Sequence, residues 1–592
     1  MAESNTPTTN TESLITEHLD IWTTAIEQKS SAGRGSSKKF SLHGIKKLRE
    51  LILELAVRGK LVPQDPNDEP ASVLLERIAA EKAQLIKDKK IKLPKALPEI
   101  SEDEKPFELP KGWEWTRFID LLDFSGGGQP PKSYFSEEKL DGYVQLIQIR
   151  DLGPNPQPVY IPQEKASKFC TSNDVMVGRY GASVGKVFWG KEGAYNVALI
   201  KIHNELGAFI PEYIFLLLKS PLGQSFFGGI SRSAQDGFSK NDIAHKLIPF
   251  LCKKQQKRIV TKVDELMGLC DALEAQTENS IAAHQTLVEV LLEALLKAPE
   301  QTATPEQATA QFQQNWQRLS EHFDTLFTTT ASIDTLKQTI LQLAVMGKLV
   351  PQNPNDEPAA KLLERIAAEK AQLIKDKKIK KQKPLPELTD EEKPFELPNG
   401  WEWVTLSHIG LFTGGKTPSK ANSQYWNGDI PWVTPKDMKV EEIFDSEDHV
   451  TRLAITDGLA EIDPESLLFV ARSGILRRKF PVAITKSVCT VNQDLKVLSL
   501  IDKSIVDYIL LMMKGFEAYI LKNLTKMGTT VESLRFDDFS KHYFIIPPLE
   551  EQHRIVAKVD ELMALCDQLK ARLNDAQTTK LHLTDAIVEQ AL

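Results

Sequence analysis

The sequence predicts an α+β protein with a pseudo-two-fold internal repeat, in which two compact mixed domains are separated by a coiled-coil pair of repeated helices. Three observations predict it. Residues Leu55–Lys92 and Leu343–Lys380 match at 34 of 38 positions, at a constant offset of 288. Residues Arg258–Leu273 and Arg554–Leu569 match at 13 of 16 positions, now at an offset of 296. Between these shared blocks lie two segments of nearly equal length whose sequences diverge. A period of about 290 residues is far longer than a solenoid repeat. It reads as two fused copies of one unit, a homodimer mimicked in a single chain.

The elements follow in chain order. Residues 1–47 read as an N-terminal extension. Residues 48–110 form a helical block: Leu48, Leu51, Ile52 and Leu55 lie at helical spacing and Gly59 is a natural stop. Pro63 and Pro66 enforce a turn, and a second helix begins near Pro70 with an apolar stripe of Leu74, Ile78 and Leu85. The block closes on PFELPKGWEW (Pro106–Trp115), repeated as PFELPNGWEW (Pro394–Trp403). Residues 111–250 hold short β-like runs such as Tyr143–Ile149, then a helical piece, Pro211–Leu218. Residues 251–297 form a helix with apolar residues at heptad spacing: Ile259, Val263, Leu266, Cys270 and Leu273. It runs from Ile259 to about Leu296, roughly 57 Å at 1.5 Å per residue. Residues 298–315, opening APEQTATPEQATA, read as a flexible linker.

The second copy repeats the order. Residues 316–398 are its helical block. Residues 399–548 are its variable domain, with runs Ile430–Val433, Leu467–Ala471 and Val482–Ile484 and a helix at Ile505–Met513. Residues 549–592 are its long helix, with Ile555, Val559, Leu562, Cys566 and Leu569 in the equivalent stripe. Neither long stripe is buried by itself. The obvious partner is the other copy; the helix's own domain is the alternative.

Composition bounds the setting. A chain of 592 residues has room for about four modules. No run approaches the roughly 18–20 apolar residues of a membrane span, and the start MAESNTPTTNTES lacks a signal-peptide pattern. Five scattered cysteines without a CxxC pair fit a reducing cytoplasm. A net charge of −8 does not suggest nucleic acid. Basic residues cluster nonetheless, at Lys87–Lys95, Lys253–Arg258, Lys375–Lys383 and Arg477–Lys479.

Catalytic and metal motifs are missing. There is no DPPY-type tetrapeptide, no glycine-rich S-adenosylmethionine loop and no HExxH. Gly181–Lys186 (GASVGK) has three residues between its glycines where a phosphate loop needs four.

Several phrases carry a resemblance. PPLEEQHRIVAKVDELMALCDQL (Pro547–Leu569), ELPKGWEW and ELPNGWEW, GDIPWVTPKDM (Gly428–Met438), SVCTVNQDLKVL (Ser487–Leu498) and MGTTVESL (Met527–Leu534) resemble elements of the specificity (S) subunits of type I restriction-modification systems. The resemblance covers nearly everything after about residue 40. The first copy departs from it at Pro249–Arg258 (PFLCKKQQKR). It implies that each variable domain is a target recognition domain reading one half of a split double-stranded DNA site. It implies that an antiparallel coiled-coil pair sets their spacing, and half-sites on one DNA face recur about every 34 Å. The partners implied are two methyltransferase (M) subunits and, in the full complex, restriction (R) subunits, with no membrane. S-adenosylmethionine, ATP and Mg belong to those partners. This chain is then expected to bind no cofactor or metal, to catalyse nothing, and to be cytoplasmic.

Aligning the variable domains by eye leaves a small common set. Gly126, Gly127 and Lys132 match Gly414, Gly415 and Lys420; such a turn offers backbone N–H groups and a lysine to phosphate, or is an ordinary turn. Arg150 matches Lys436, and Arg179 matches Arg472. Arginine suits guanine or phosphate, or a structural ion pair. Asn196 and Asn492 read as structural. Base-reading residues are expected where the domains differ: Gln129, Gln148 and Tyr180 in one, Thr417, Thr434 and Ser473 in the other. Arg477, Arg478 and Lys479 add phosphate contacts in the second domain only. The competing reading is a coiled-coil adaptor with two protein-binding domains and no DNA selectivity. A self-sufficient methyltransferase or nuclease is disfavoured by the missing motifs.

Overall fold

A computed structural model of the chain describes residues 11–28, 40–88, 97–229, 237–297, 305–379, 397–526, 528 and 531–592. Residues 89–95 of the basic run Lys87–Lys95 and residues 380–383 of the run Lys375–Lys383 lie outside the described residues. The chain divides into two compact units: residues 1–281 with 576–592, and residues 282–575. Among the described residues no helix is long and apolar enough to cross a membrane.

In the first unit, helix His43–Val57 buries Leu48, Leu51, Ile52 and Leu55, the stripe its sequence spacing predicts, and Ile45 beside them. It stops at Gly59, whose φ of +69° suits glycine. A Cβ there would lie 2.4 Å from the Pro110 ring. The next helix, Ala71–Lys87, starts behind Pro70. Strand Glu114–Arg117 pairs antiparallel with Leu247–Phe250 and closes the mouth of the variable domain. Inside it lie two four-stranded sheets. One is antiparallel, in the order Asp123–Gly126, Leu199–His203, Val175–Gly178, Val187–Trp189. The other runs Tyr160–Pro162, Tyr143–Ile147, Gly193–Tyr195, Phe169–Cys170, and its two central strands are parallel.

The second unit repeats the plan despite the divergent sequence. Strand Glu402–Thr405 pairs with Tyr543–Ile546. A sheet ordered Gly410–Gly414, Leu495–Leu500, Ser466–Val470, Val482–Thr485, Glu442–Ile443 stands beside one ordered His449–Val450, Trp426–Val433, Thr490–Val491. The fold is therefore α+β and internally repeated.

The long helices are Lys253–Leu296, of 44 residues, and Leu549–Ala591, of 43. Their predicted stripes are buried, but the described contacts lie within each helix's own unit. Ile259, Val263, Leu266 and Cys270 lie in the core of the first unit, with Leu273 packed against it. Ile555, Val559 and Cys566 lie in that of the second, with Leu562 and Leu569 against it. Ion pairs at the edges fix the register. Arg49 reaches Glu274 at 2.8 Å and Asp271 at 2.7 Å. Lys570 reaches Asp334 at 2.7 Å, and Arg554 reaches Asp356 at 2.6 Å.

The last turns of each long helix belong to the other unit. Val288, Leu292 and Leu295 are buried in the core of the second unit, where Lys348 Nζ lies 3.4 Å from Leu295 O and 3.3 Å from Lys297 O. Ile587 and Ala591 are buried in the first, where Lys60 Nζ donates to Leu592 O at 2.6 Å. Lys60 and Lys348 are equivalent positions of the repeat, and a lysine at a helix C-terminus satisfies carbonyls that have no partner in the helix.

Two boundaries differ from the sequence reading. Residues 305–321 are helical, where a flexible linker to residue 315 is expected. Pro305 opens that helix, where a missing N–H costs nothing, and glutamines and alanines continue it. Residues 1–47, read as an extension, contain the start of the repeat. Helices Thr11–Glu17 and Leu19–Thr24 break at His18 (φ −116°, ψ 23°). Pro305–Glu321 and Phe323–Leu326 break at His322 (φ −114°, ψ 18°). Each break sits in a Glu-His-Leu/Phe-Asp tetrapeptide.

Candidate nucleic-acid interface

One rim of each variable domain gathers most of the sequence-predicted residues, and backbone hydrogen bonds hold it together. In the first domain Gly126 ends a strand opposite Ile200, and the chain then crosses to the second sheet. A Cβ on Gly127 would stand 2.2 Å from Asn196 O and 2.3 Å from Tyr195 O, so only glycine passes. In the second domain Gly414 pairs with Lys496. A Cβ on Gly415 would stand 2.1 Å from Val491 O and 2.2 Å from Asn492 O. The expectation that this turn offers its N–H groups to phosphate is corrected here. Gly127 N donates to Leu199 O (3.1 Å) and Gly128 N to Tyr195 O (3.0 Å), and Lys416 N donates to Val491 O (3.0 Å). The glycines join two sheets.

The neighbouring strand ends bring Gln148 and Arg150 alongside. Asn196 N donates to Ile147 O at 3.1 Å, as Asn492 N does to Val433 O at 3.0 Å. Both asparagines then turn the chain, accepting from Ala198 N (3.1 Å) and Asp494 N (3.0 Å). Asp151, wholly buried, accepts from Gln148 N (2.8 Å) and Gln157 N (3.1 Å). Asp437 does the same for Thr434 N (2.8 Å) and Glu447 N (3.0 Å). These carboxylates shape a turn that leaves Arg150 and Lys436 exposed. Thr434 is not available to read a base: it is buried, and its hydroxyl donates to Asp437 at 2.9 Å.

The arginine match is displaced by one residue. Gly178 pairs with Leu199, and Val470 pairs with Leu495. Arg179 N then donates to Ala198 O (2.9 Å), and Ala471 N to Asp494 O (2.8 Å). Tyr180 bridges to Gly237, and Arg472 to Ser533. Strand pairing therefore puts Arg472 at the position of Tyr180 and Ala471 at that of Arg179. The short turns that follow begin at Gly181 and Gly474. The second domain has one extra residue there, Ser473, and the shared Arg-x-Gly pattern straddles it. Ser473 caps its turn, accepting from Ile475 N at 3.4 Å.

The charges differ in their freedom. Arg179 Nε donates to Phe238 O at 3.1 Å, and its guanidinium lies 5.1 Å over the Tyr180 ring. Arg472 is exposed, with no side-chain partner among the described residues. Arg477 donates to the nearly buried Glu532, and this bond holds the Glu532 carboxyl below its ordinary range. An arginine neutralised in this way is a poorer phosphate ligand than Arg478 and Lys479, which are exposed without a side-chain partner among the described residues. Gln129 is exposed, whereas the Thr417 hydroxyl donates to Gln493. Lys132 and Lys420 are exposed farther along the chain, and no described bond ties their side chains to the rim.

Sequence reasoning missed Lys496, whose Nζ lies 4.8 Å over the Phe536 ring and 3.3 Å from where a Cβ of Gly414 would be. It also missed Glu532, although the MGTTVESL phrase contains it. Among the described residues no three metal-ligating side chains gather. The rim offers exposed guanidinium and ammonium donors on a rigid frame, the equipment of phosphate and base-edge contact.

Residues 110–283 and 398–576 match the family model described as the type I restriction modification DNA specificity domain. The specificity subunits of the Escherichia coli type I restriction enzymes EcoAI and EcoEI are each 40% identical to this chain, over 98% of it and 99% of themselves. The HsdS subunit from Thermoanaerobacter tengcongensis aligns in three dimensions over 82% of this chain and 98% of its own, at 17% identity and a TM-score of 0.38.

Proposed function

The chain belongs to the type I restriction modification DNA specificity family, and on that premise we propose that it selects the DNA sequence on which partner subunits act. Each variable domain reads one half of a bipartite double-stranded site. The repeated helical blocks dock two methyltransferase subunits, with restriction subunits joining in the full complex. S-adenosylmethionine, ATP and Mg are used on those partners, and this chain supplies recognition alone.

One observation carries the reading. Two domains of one backbone frame present the same rim with different side chains, and each is mounted on a nearly identical helical block. Identical mounts suit two copies of one partner. Unlike rims suit two unlike half-sites. The phosphate-facing role falls to Arg150 and Lys436, equivalent, exposed and cationic in both domains.

Co-expression with its methyltransferase partner, followed by mapping of methylated bases, tests this. The expected result is a bipartite motif with a fixed gap. Exchanging Lys111–Ile248 for another recognition domain changes one half only. Methylation that ignores this chain, or a swap that changes both halves, refutes the reading. A chain acting purely as a protein adaptor gives the first of those results.

A further inference from the structure

We infer that Arg472 is a base-reading residue of the second domain, and that Tyr180 holds the equivalent specificity-determining position in the first. This rests on the reading of the chain as a DNA specificity subunit. It follows from comparing the rims by strand register. Positions filled alike serve what the two half-sites share, the phosphate backbone; positions filled differently serve what distinguishes them.

Arg150 and Lys436 are filled alike in charge and both are exposed. Three of the positions expected to read bases differ between the domains. At Gln148/Thr434, Thr434 is buried and bound to Asp437. At Gln129/Thr417, the Thr417 hydroxyl is engaged with Gln493. Of these three, Tyr180/Arg472 is the one at which the second domain offers a strong donor that is exposed and without a side-chain partner among the described residues. Its backbone is fixed from both sides, by Arg472 N donating to Asp494 O at 3.2 Å and by the bridge to Ser533. A fixed Cα carrying a free guanidinium is what bidentate contact to guanine O6 and N7 requires. Arg477, on the turn that follows, is tied to Glu532, which leaves Arg472 as the unpaired guanidinium on the strand-bridged segment itself. In the first domain the same position carries an aromatic ring with the Arg179 guanidinium 5.1 Å above it, a different chemical face.

The experiment uses the full chain in complex with its methyltransferase partner. Methylation rates are measured on the cognate site and on every single-base substitution of both halves, at several salt concentrations. R472A is expected to reduce discrimination at one base pair of one half by about 10–100-fold, leaving the other half unchanged. R472K keeps the charge, loses the fork, and does not restore it. K436A, the comparison, weakens all sites alike and lowers the salt slope by about one. The Arg472 side chain is exposed and has no hydrogen-bond or ion-pair partner among the described residues, so the melting temperature of R472A should stay close to that of wild type. If R472A behaves like K436A, or R472K restores discrimination, Arg472 is a phosphate contact and the inference fails. If the wild-type complex shows no site dependence, the underlying reading fails first.

Discussion

Replacing Gly127 with alanine separates a structural crossing from a phosphate-binding turn. A Cβ there would stand 2.2 Å from Asn196 O and 2.3 Å from Tyr195 O. Both obstacles are backbone, so neither rotates away. Relief requires the crossing chain to move, which lengthens the bonds from Gly127 N to Leu199 O and from Gly128 N to Tyr195 O, now 3.1 and 3.0 Å. Overpacking costs about 1–3 kcal/mol, and one weakened hydrogen bond adds about 1 kcal/mol. A loss of about 3 kcal/mol corresponds to a fall of roughly 6–12 °C in the melting temperature of the affected unit. The control is G126A, where the nearest atom is the movable Arg179 Nη1 at 3.1 Å; it should cost under about 1 kcal/mol. Differential scanning calorimetry reads both, and G415A should lower the other unit's transition. If G127A melts with wild type while binding all DNA sequences more weakly, the glycine serves phosphate and the argument is wrong.

Three further outcomes are expected. Glu551 Oε2 accepts from Trp401 Nε1 at 3.1 Å, but Oε1 is buried without a partner among the described residues. Burial pushes its carboxyl above the ordinary glutamate range, so its contribution is intact below that range and is lost as pH rises through the elevated value. E551Q copies Gln255, its counterpart in the first copy. It should gain about 1 kcal/mol over wild type at pH 8 and little at pH 4.5; a gain largest in acid would contradict this. Tyr213 is fully buried with its hydroxyl unpartnered among the described residues, so Y213F should melt at or slightly above wild type, and a clear loss would reveal a hidden partner. Deleting residues 576–592 removes Ile587 and Ala591 from the core of the first unit, together with the bonds from Arg58 and Lys60 to Leu592 O. It should lower the melting transition of the first unit, whereas a loss confined to the second would overturn the assignment of that segment.

The repeat, the helical blocks and the α+β class were legible because burial leaves a local periodic trace. The direction of burial leaves none. A heptad stripe from Ile259 to Leu273 says that a face is covered, and the described contacts that cover it come from the helix's own unit. The match of Arg179 to Arg472 failed for the same reason. Register is decided by pairing with Leu199 and Leu495, distant in sequence, whereas alignment by eye follows the local Arg-x-Gly pattern. Availability was equally hidden: Thr434 and Arg477 read as free polar residues until Asp437 and Glu532 were found beside them. The start of the repeat in residues 1–47 was missed because one shared tetrapeptide is too little to align by.

The exchange of helix ends sets an order in time. The first unit is synthesised early, yet its last segment is residues 576–592. At about 5–20 residues per second, the roughly 300 intervening residues keep it waiting about 15–60 s. During that interval the core of the first unit lacks Ile587 and Ala591. The half made first is the half completed last, and a message cut short anywhere in the second half leaves both unfinished.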